Sequence, residues 1–425
     1  MAESRPYRAA AILGLVAEAA FLLNLTRPAK PVFDETHYVT AARILRTFAR
    51  PYNTEHPMLA KTIIAAGISL FGDTPFGWRF FSTIAGTATV LGVFALVWLM
   101  FKSARAASFA GVFALLNFTI FIQARIAMLD TFMAPLLLWS IVALYWASQG
   151  TSAQAWRRWI AGSVLLGLAA GTKWAAVPYL GYAGLAFLIV RVRDVRAEGF
   201  SAAMALRGEE ARHWRGMATI PALAVLMIVA ALAYFLTFLP AFFYAEQPLT
   251  LGTLLPFQAT MYAEQTQVLP HHTYQSDWWS WPFMIRPIWY LYEPVNGVWR
   301  GIFMIGNPAI LWGGLVAVAA CLWGAWRSRS LKLFGAAMLW IGSFLMFAIV
   351  PKSPSFFYYY YPASIFLCVA LAAAFHHFRA RVKNWDESFA IISFGLFAYF
   401  YPILSAASLS GAASFHRWMW FSTWP

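Results

Sequence analysis

Runs of about 20 mostly apolar residues recur along this chain, and a run of that length matches the hydrocarbon thickness of a bilayer. They fall at roughly 9–26, 77–101, 107–123, 127–148, 158–172, 174–191, 217–244, 302–326, 331–350, 357–375 and 388–409. Lipid offers no hydrogen bonds to a backbone, so each run reads as a helix that satisfies its own peptide groups. The expected fold class is an all-α polytopic membrane protein with about 11 transmembrane helices in one integral-membrane domain spanning 1–425. Composition agrees, with 61% hydrophobic and only 11% charged residues, against roughly 25% charged in an average soluble domain. A globular cytosolic enzyme is excluded.

Lys and Arg between the runs set the expected orientation. With the N-terminus cytoplasmic, the inner connections carry more than half of the 31 basic residues, among them Arg5, Arg8, Lys102, Arg105, Arg157, Arg158, Arg191, Arg207, Arg327, Arg329, Arg379 and Arg381. Glu18 in mid-run and the lack of a clear cleavage site make the first run a retained anchor rather than a signal peptide. An odd number of spans puts the C-terminus outside. The first outer connection breaks the pattern, because Arg27, Lys30, Arg43, Arg46, Arg50, Lys61 and Arg79 crowd into it. The net charge of +14 is spread between apolar runs, with no nucleic-acid motif.

Two outer segments, 27–76 and 245–301, far exceed the usual connection of about 4–6 residues, and long connections in compact proteins are commonly functional. Tyr38, Ala41, Ala42, Leu45 and Phe48 fall at helical spacing, with Arg43, Arg46 and Arg50 on another face. This predicts an amphipathic helix at the membrane surface. Met58 to Phe71 predicts a second, and Asp73-Thr74-Pro75 reads as the cap and first-turn proline of the next span. No internal repeat and no soluble domain is apparent.

The strongest chemical signal is Asp34-Glu35, just past the first run. Two adjacent carboxylates at an apolar boundary suit a general base or a metal site. The plainer reading is a helix N-cap with a first-turn acid, worth about 1 kcal/mol. His56 and Lys61 follow in His-Pro-Met-Leu-Ala-Lys, and Arg125 precedes Asp130 at a span end, where it could snorkel or pair with that acid. Arg286 lies among tryptophans in 276–287, and Lys352 precedes the aromatic cluster that contains Tyr359. Ionisable groups at such depths are costly and mark functional positions by default. Arg125, Lys173, Arg286 and Lys352 all sit where cations could hold a lipid phosphate. There is no Gly-rich phosphate loop, no dinucleotide fingerprint and no His-Glu-x-x-His pair, so nucleotide cofactors and zinc proteolysis are not expected. The cysteines, Cys321 and Cys368, lie in apolar runs and suggest neither disulfides nor a zinc cluster.

Taken together, the motifs resemble the protein O-mannosyltransferase family. They are Phe33-Asp34-Glu35-x-His37-Tyr38, His56-Pro57-x-Leu59-x-Lys61, Phe71-Gly72-x-x-Pro75-Phe76-Gly77-Trp78-Arg79, Arg125-x-x-x-Leu129-Asp130, Gly171-x-Lys173-Trp174, Trp279-Ser280-Trp281-Pro282-x-x-x-Arg286-Pro287 and Phe356-x-Tyr358-x-Tyr360-x-Pro362. They occur in family order from residue 33 to about 362. Three features depart from the family pattern: Met58 replaces a second proline, Tyr-Tyr-Tyr replaces Tyr-His-Tyr, and Lys352 stands where Arg is frequent. Eukaryotic members carry a soluble β-trefoil in the second long loop, for which 245–301 has no room, so the resemblance implies a compact bacterial member of the inner membrane.

The resemblance implies a GT-C type glycosyltransferase that moves a sugar, expected to be mannose, from a polyprenyl-phosphate donor to an acceptor hydroxyl at the outer membrane face, with inversion. Asp34 is the implied base and Glu35 its helper. His56, Lys61, Arg125, Asp130, Lys173, Arg286, Lys352 and Tyr359 are the implied substrate-binding residues, with Arg125 and Arg286 foremost on the phosphate. The expectation is that the carboxylate pair and these distant cations meet in one pocket. No cofactor is required, although Asp34, Glu35, His37 and His56 could ligate a divalent metal. The acceptor is a protein Ser or Thr, a glycan or a lipid. The alternatives are an aminoarabinose-type transferase acting on lipid A and a non-enzymatic transporter of lipid-linked sugar.

Overall fold

The computed structural model describes residues 6–199, 201, 204–205, 212–350 and 352–425; Arg5 and Arg207 lie outside the described residues. The elements in chain order are α1 (Pro6–Leu22), α2 (Glu35–Arg46), α3 (Leu59–Phe71), α4 (Pro75–Phe101), α5 (Ala104–Leu115), α6 (Phe118–Gln123), α7 (Leu129–Ala147), α8 (Ser152–Ala170), α9 (Pro178–Ala197), α10 (Thr219–Leu236) and α11 (Leu251–Thr266). A hairpin of β1 (Ile288–Val295) and β2 (Val298–Met304) follows, then α12 (Pro308–Ser328), α13 (Leu331–Ile349), α14 (Tyr361–His377), the short α15 (Arg379–Val382) and α16 (Trp385–Leu404).

Among the described residues, eight helices are long and apolar enough to cross a membrane. Helices also occupy the three remaining predicted runs, but they fall short of that standard. α1 has 17 residues, α8 carries Arg157 and Arg158 near its start, and the third run is split into α5 and α6. By length and apolarity alone, the count is eight rather than eleven.

The split between α5 and α6 has a clear cause. Asn117 caps α6 through Thr119 N at 3.1 Å and turns its amide to Ser364 O at 3.1 Å on α14. α14 is the axis of one half of the bundle: every residue from Tyr361 to Ala374 is buried, against α12, α13, α4 and α5. A second group, α7, α8 and α10, packs beside it.

The loop predictions are largely realised in local structure. α2 buries Tyr38, Val39, Ala41, Ala42 and Leu45 and leaves its arginines on the other side. Phe48 departs from that stripe, since the helix ends before it, its φ is +49°, and it is 41% exposed. Thr74 caps α4 by accepting from Gly77 N at 3.3 Å, with Pro75 in the first turn. Asp73 instead accepts from Arg43 Nε at 2.9 Å and Trp78 Nε1 at 2.6 Å, tying α2 to α4.

The hairpin departs from the all-α expectation. Its register runs from Ile288↔Met304 to Val295↔Val298, with an irregularity between Trp289 and Leu291. The turn is Asn296-Gly297, with φ of +52° and +77°, the left-handed pair that a tight two-residue hairpin requires. The predicted span at 302–326 therefore starts inside a strand, and its helix begins only at Pro308.

Candidate active site

Two buried arginines shape the connection from α1 to α2. Arg125 Nη1 donates to Phe21 O at 2.7 Å and Leu23 O at 2.6 Å, and its Nη2 to Asn24 O at 3.2 Å. Arg79, from α4, donates to Leu25 O, Pro28 O and Lys30 O at 2.9–3.1 Å. Arg79 also grips Glu35, Nε to Oε1 at 2.8 Å and Nη2 to Oε2 at 2.7 Å. The same carboxylate accepts from Val32 N at 2.9 Å and Ala127 N at 2.7 Å, and Glu35 is wholly buried. An anion so enclosed is a structural strut.

Asp34, one residue earlier, is placed differently. It occupies the N-cap position of α2 with φ −69° and ψ −8°, yet its side chain makes no capping bond. The hydroxyl of Tyr38 donates to its Oδ2 at 3.4 Å. The carboxylate instead lines a cavity of about 500 Å³, open mouth included, with His37, Tyr38, Asn53, Glu55, His56, Lys173, Lys352, Tyr358 and Tyr359. Burial raises its pKa above the usual carboxylate range, and the ammonium of Lys173 and the ring of His37 pull it back in part.

The opposite charge comes from two lysines. Lys173 follows α8 and donates to both oxygens of Asp130, at 2.9 and 2.7 Å. Its ammonium lies 5.2 Å from the ring centres of Tyr358 and Tyr359, within cation–π range. Gly171 lets the end of α8 pack against the end of α10, since a Cβ there would meet the Thr237 side chain at 2.4 Å. Lys352 lies 5.5 Å from the Tyr359 ring, and burial, then Lys173, lowers its pKa to about 8.

His56 comes from the segment before α3. Burial, with Lys173, Lys352 and Lys61 nearby, drives its pKa well below the ordinary histidine value, so it is neutral. Beneath it Lys61 is buried and donates to Asn53 O and His56 O, both at 2.7 Å. Chemically, the cavity pairs a carboxylate able to take a proton with cations able to hold an anion.

Among the described residues no three His, Cys, Asp or Glu side chains are grouped to hold an ion. Of the expected ligand set, Glu35 is held instead by Arg79.

Two family descriptions match the chain, "Dolichyl-phosphate-mannose-protein mannosyltransferase" over residues 55–207 and "C-terminal four TMM region of protein-O-mannosyltransferase" over 250–424. This chain belongs to the protein O-mannosyltransferase family. The transferase is 25% identical to the polyprenol-phosphate-mannose–protein mannosyltransferase of Corynebacterium glutamicum, covering 97% of this chain and 92% of that one. Its fold is similar to that of the S. cerevisiae Pmt1–Pmt2 complex solved with its sugar donor, at TM-score 0.81 and 13% identity, covering 100% of this chain and 93% of that one. ArnT of Cupriavidus metallidurans, solved with undecaprenyl phosphate, is similar at TM-score 0.61 and 17% identity, over 91% of this chain and 63% of that one. The GT-C architecture and a glycosyltransferase activity follow, and the aminoarabinose reading has the weaker support.

Of the residues singled out in the sequence, the transferase brings Asp34, His56, Lys173, Lys352 and Tyr359 to one cavity, with Asp130 behind Lys173. Glu35, Lys61, Arg125 and Arg286 do not line it. Arg125 does not pair with Asp130 either. Arg286 donates to the carbonyls of Thr273 and Thr423 and to Pro425 O, and stacks 5.1 Å from Tyr274. The one-pocket expectation is therefore corrected: the cations facing Asp34 are lysines, and the two arginines bind backbone. Sequence reasoning missed Asn53, Glu55 and Tyr358 as lining residues. It placed Arg79 in a motif and among the basic residues of the first outer connection, although an arginine flanked by Trp78, Phe80 and Phe81 must find buried acceptors, which was the available signal.

Proposed function

We propose that this transferase moves mannose from polyprenyl-phosphate mannose to a hydroxyl of an exported protein, at the extracytoplasmic face of a bacterial inner membrane. The observation carrying this reading is the shared cavity of Asp34, Lys173 and Lys352. The basic bias of the connections supports an N-terminus in the cytoplasm, which puts the 27–76 loop outside. The names of the bacterial relatives support the donor and the protein acceptor.

The acceptor oxygen attacks the anomeric carbon as its bond to the donor phosphate breaks. The hydroxyl proton passes to Asp34, and the departing electron pair stays on the polyprenyl-phosphate oxygen. Attack opposite the leaving group inverts the anomeric centre. Lys173 and Lys352 stabilise the phosphate where negative charge develops. Asp130 holds Lys173 in place, and Tyr359 supplies an aromatic face to both ammonium groups. Neutral His56 hydrogen-bonds the sugar. Glu35, Arg79, Arg125 and Lys61 position the two segments that carry Asp34 and His56.

The test is reconstitution. Purified protein in detergent, given polyprenyl-phosphate mannose and a Ser/Thr peptide, should yield a mannosylated peptide of opposite anomeric configuration to the donor. A transporter would produce no glycopeptide under those conditions, and that result would defeat the reading.

A further inference from the structure

The cavity is lined by groups of opposite hydrogen-bonding sense. Lys173 and Lys352 only donate, while Asp34 and Glu55, as carboxylates, only accept. Asn53 joins the accepting side. Its Nδ2 donates to Glu55 Oε1 at 2.5 Å; the reverse amide orientation would set oxygen against oxygen, so this contact fixes the amide. Asn53 Oδ1 is then left buried with no partner among the described residues, and so is His56 Nδ1 on the same segment. Buried polar atoms without partners cost free energy, and residues 53–56 carry two of them beside the cavity.

The segment is held firmly in spite of that cost. Lys61 Nζ fastens the carbonyls of Asn53 and His56 from below. From α11, Gln265 Nε2 donates to Glu55 O at 2.6 Å and Glu264 Oε1 accepts from Thr54 Oγ1 at 3.0 Å. Three clamps from two helices hold one short loop, the arrangement expected of a preorganised recognition wall.

We propose that Asn53 and Glu55 are specificity-determining residues that accept hydrogen bonds from hydroxyls of the transferred sugar, in the cavity they share with the phosphate-holding lysines. A phosphate offers no donors to such a wall, whereas a hexosyl group offers several. The inference rests on the donor class given under Proposed function. It adds that the sugar and the phosphate of one donor are read by separate sets of side chains, so the two recognitions are separable by mutation. A site built to bond a substrate hydroxyl discriminates strongly against the analogue that lacks it.

The experiment compares Asn53→Ala and Glu55→Gln with the unmodified protein in three measurements: KM for polyprenyl-phosphate mannose, inhibition by bare polyprenyl phosphate, and discrimination among monodeoxy-mannosyl donors. The expected result is a KM raised at least about tenfold, with inhibition by bare polyprenyl phosphate unchanged. At least one deoxy donor rejected by the unmodified protein should no longer be discriminated by a variant. Unchanged inhibition also certifies that each variant is folded. Equal weakening of both ligands, or of neither, overturns the inference. Absence of transfer by the unmodified protein overturns the donor reading itself, and that failure is recognisable because no variant is needed to see it.

Discussion

Glu35 and Arg79, 44 residues apart, form a bidentate ion pair whose side chains are both fully buried. Around the pair, Arg79 holds the carbonyls of Leu25, Pro28 and Lys30, so its guanidinium fastens the stretch that leads directly to Asp34. Removing one partner of a buried pair leaves an uncompensated charge, at a cost of about 3–5 kcal/mol. Glu35→Gln and Arg79→Met are each expected to lower the melting temperature in detergent substantially, while the double variant loses less than the sum. Thermal unfolding of the three variants checks this.

Asp34 has a raised pKa through burial, and as a base it works only when ionised. Transfer should therefore fall on the acid side through a pH above the ordinary aspartate value near 3.9. Tyr38→Phe removes a hydroxyl that favours the ionised form, so the acid limb of kcat/KM should move to higher pH. The stability sign runs the other way: a raised folded pKa stabilises the protein at low pH, and that contribution is lost as pH rises through it. Asp34→Asn is thus expected to be at least as heat-stable as the unmodified protein at neutral pH.

Lys352 contributes the alkaline side. Its pKa is lowered to about 8, so the ammonium is lost as pH rises through that value, and donor affinity in the free enzyme should weaken there. Between about 8 and the ordinary lysine value the unfolded chain still binds the proton, so this residue makes stability rise with pH across that window. Lys352→Arg should keep the charge and extend donor binding to higher pH, whereas Lys352→Met should weaken it at every pH. Donor KM measured from pH 6.5 to 9.5 would reveal both effects, on the order of the windows set by these values.

Lys173 and Arg286 differ in the same assay. Lys173 lines the cavity, and its replacement by Met should raise donor KM by at least about tenfold. Arg286 is engaged with backbone carbonyls near 273 and 423–425, so Arg286→Gln should lower thermal stability and leave donor KM unchanged. A donor-binding defect in Arg286→Gln would overturn its structural assignment.

The contrast marks what the sequence could carry. Helices were legible because lipid forces each long apolar run into one form, and Thr74-Pro75 announced the start of α4 through local chemistry. The hairpin was also announced, by Asn296-Gly297 between β-rich segments, but an apolar flank made it read as the head of a span. The site was harder. Arg125 and Lys173 are both cations at span ends, and only the chain's path decides that one meets the carbonyls at the end of α1 while the other meets Asp130. Asp34 and Glu35 are neighbours in sequence, yet α2 turns them in different directions, one to the cavity and one to Arg79.

The most direct measurement is single-turnover transfer by Asp34→Asn in purified protein, alongside equilibrium binding of polyprenyl-phosphate mannose. Asparagine keeps the shape and removes the proton acceptor. The rate should fall by about 10²–10⁴, with donor binding retained and the melting temperature undiminished. Transfer at the unmodified rate by a folded Asp34→Asn protein would contradict the assignment of Asp34 as the base.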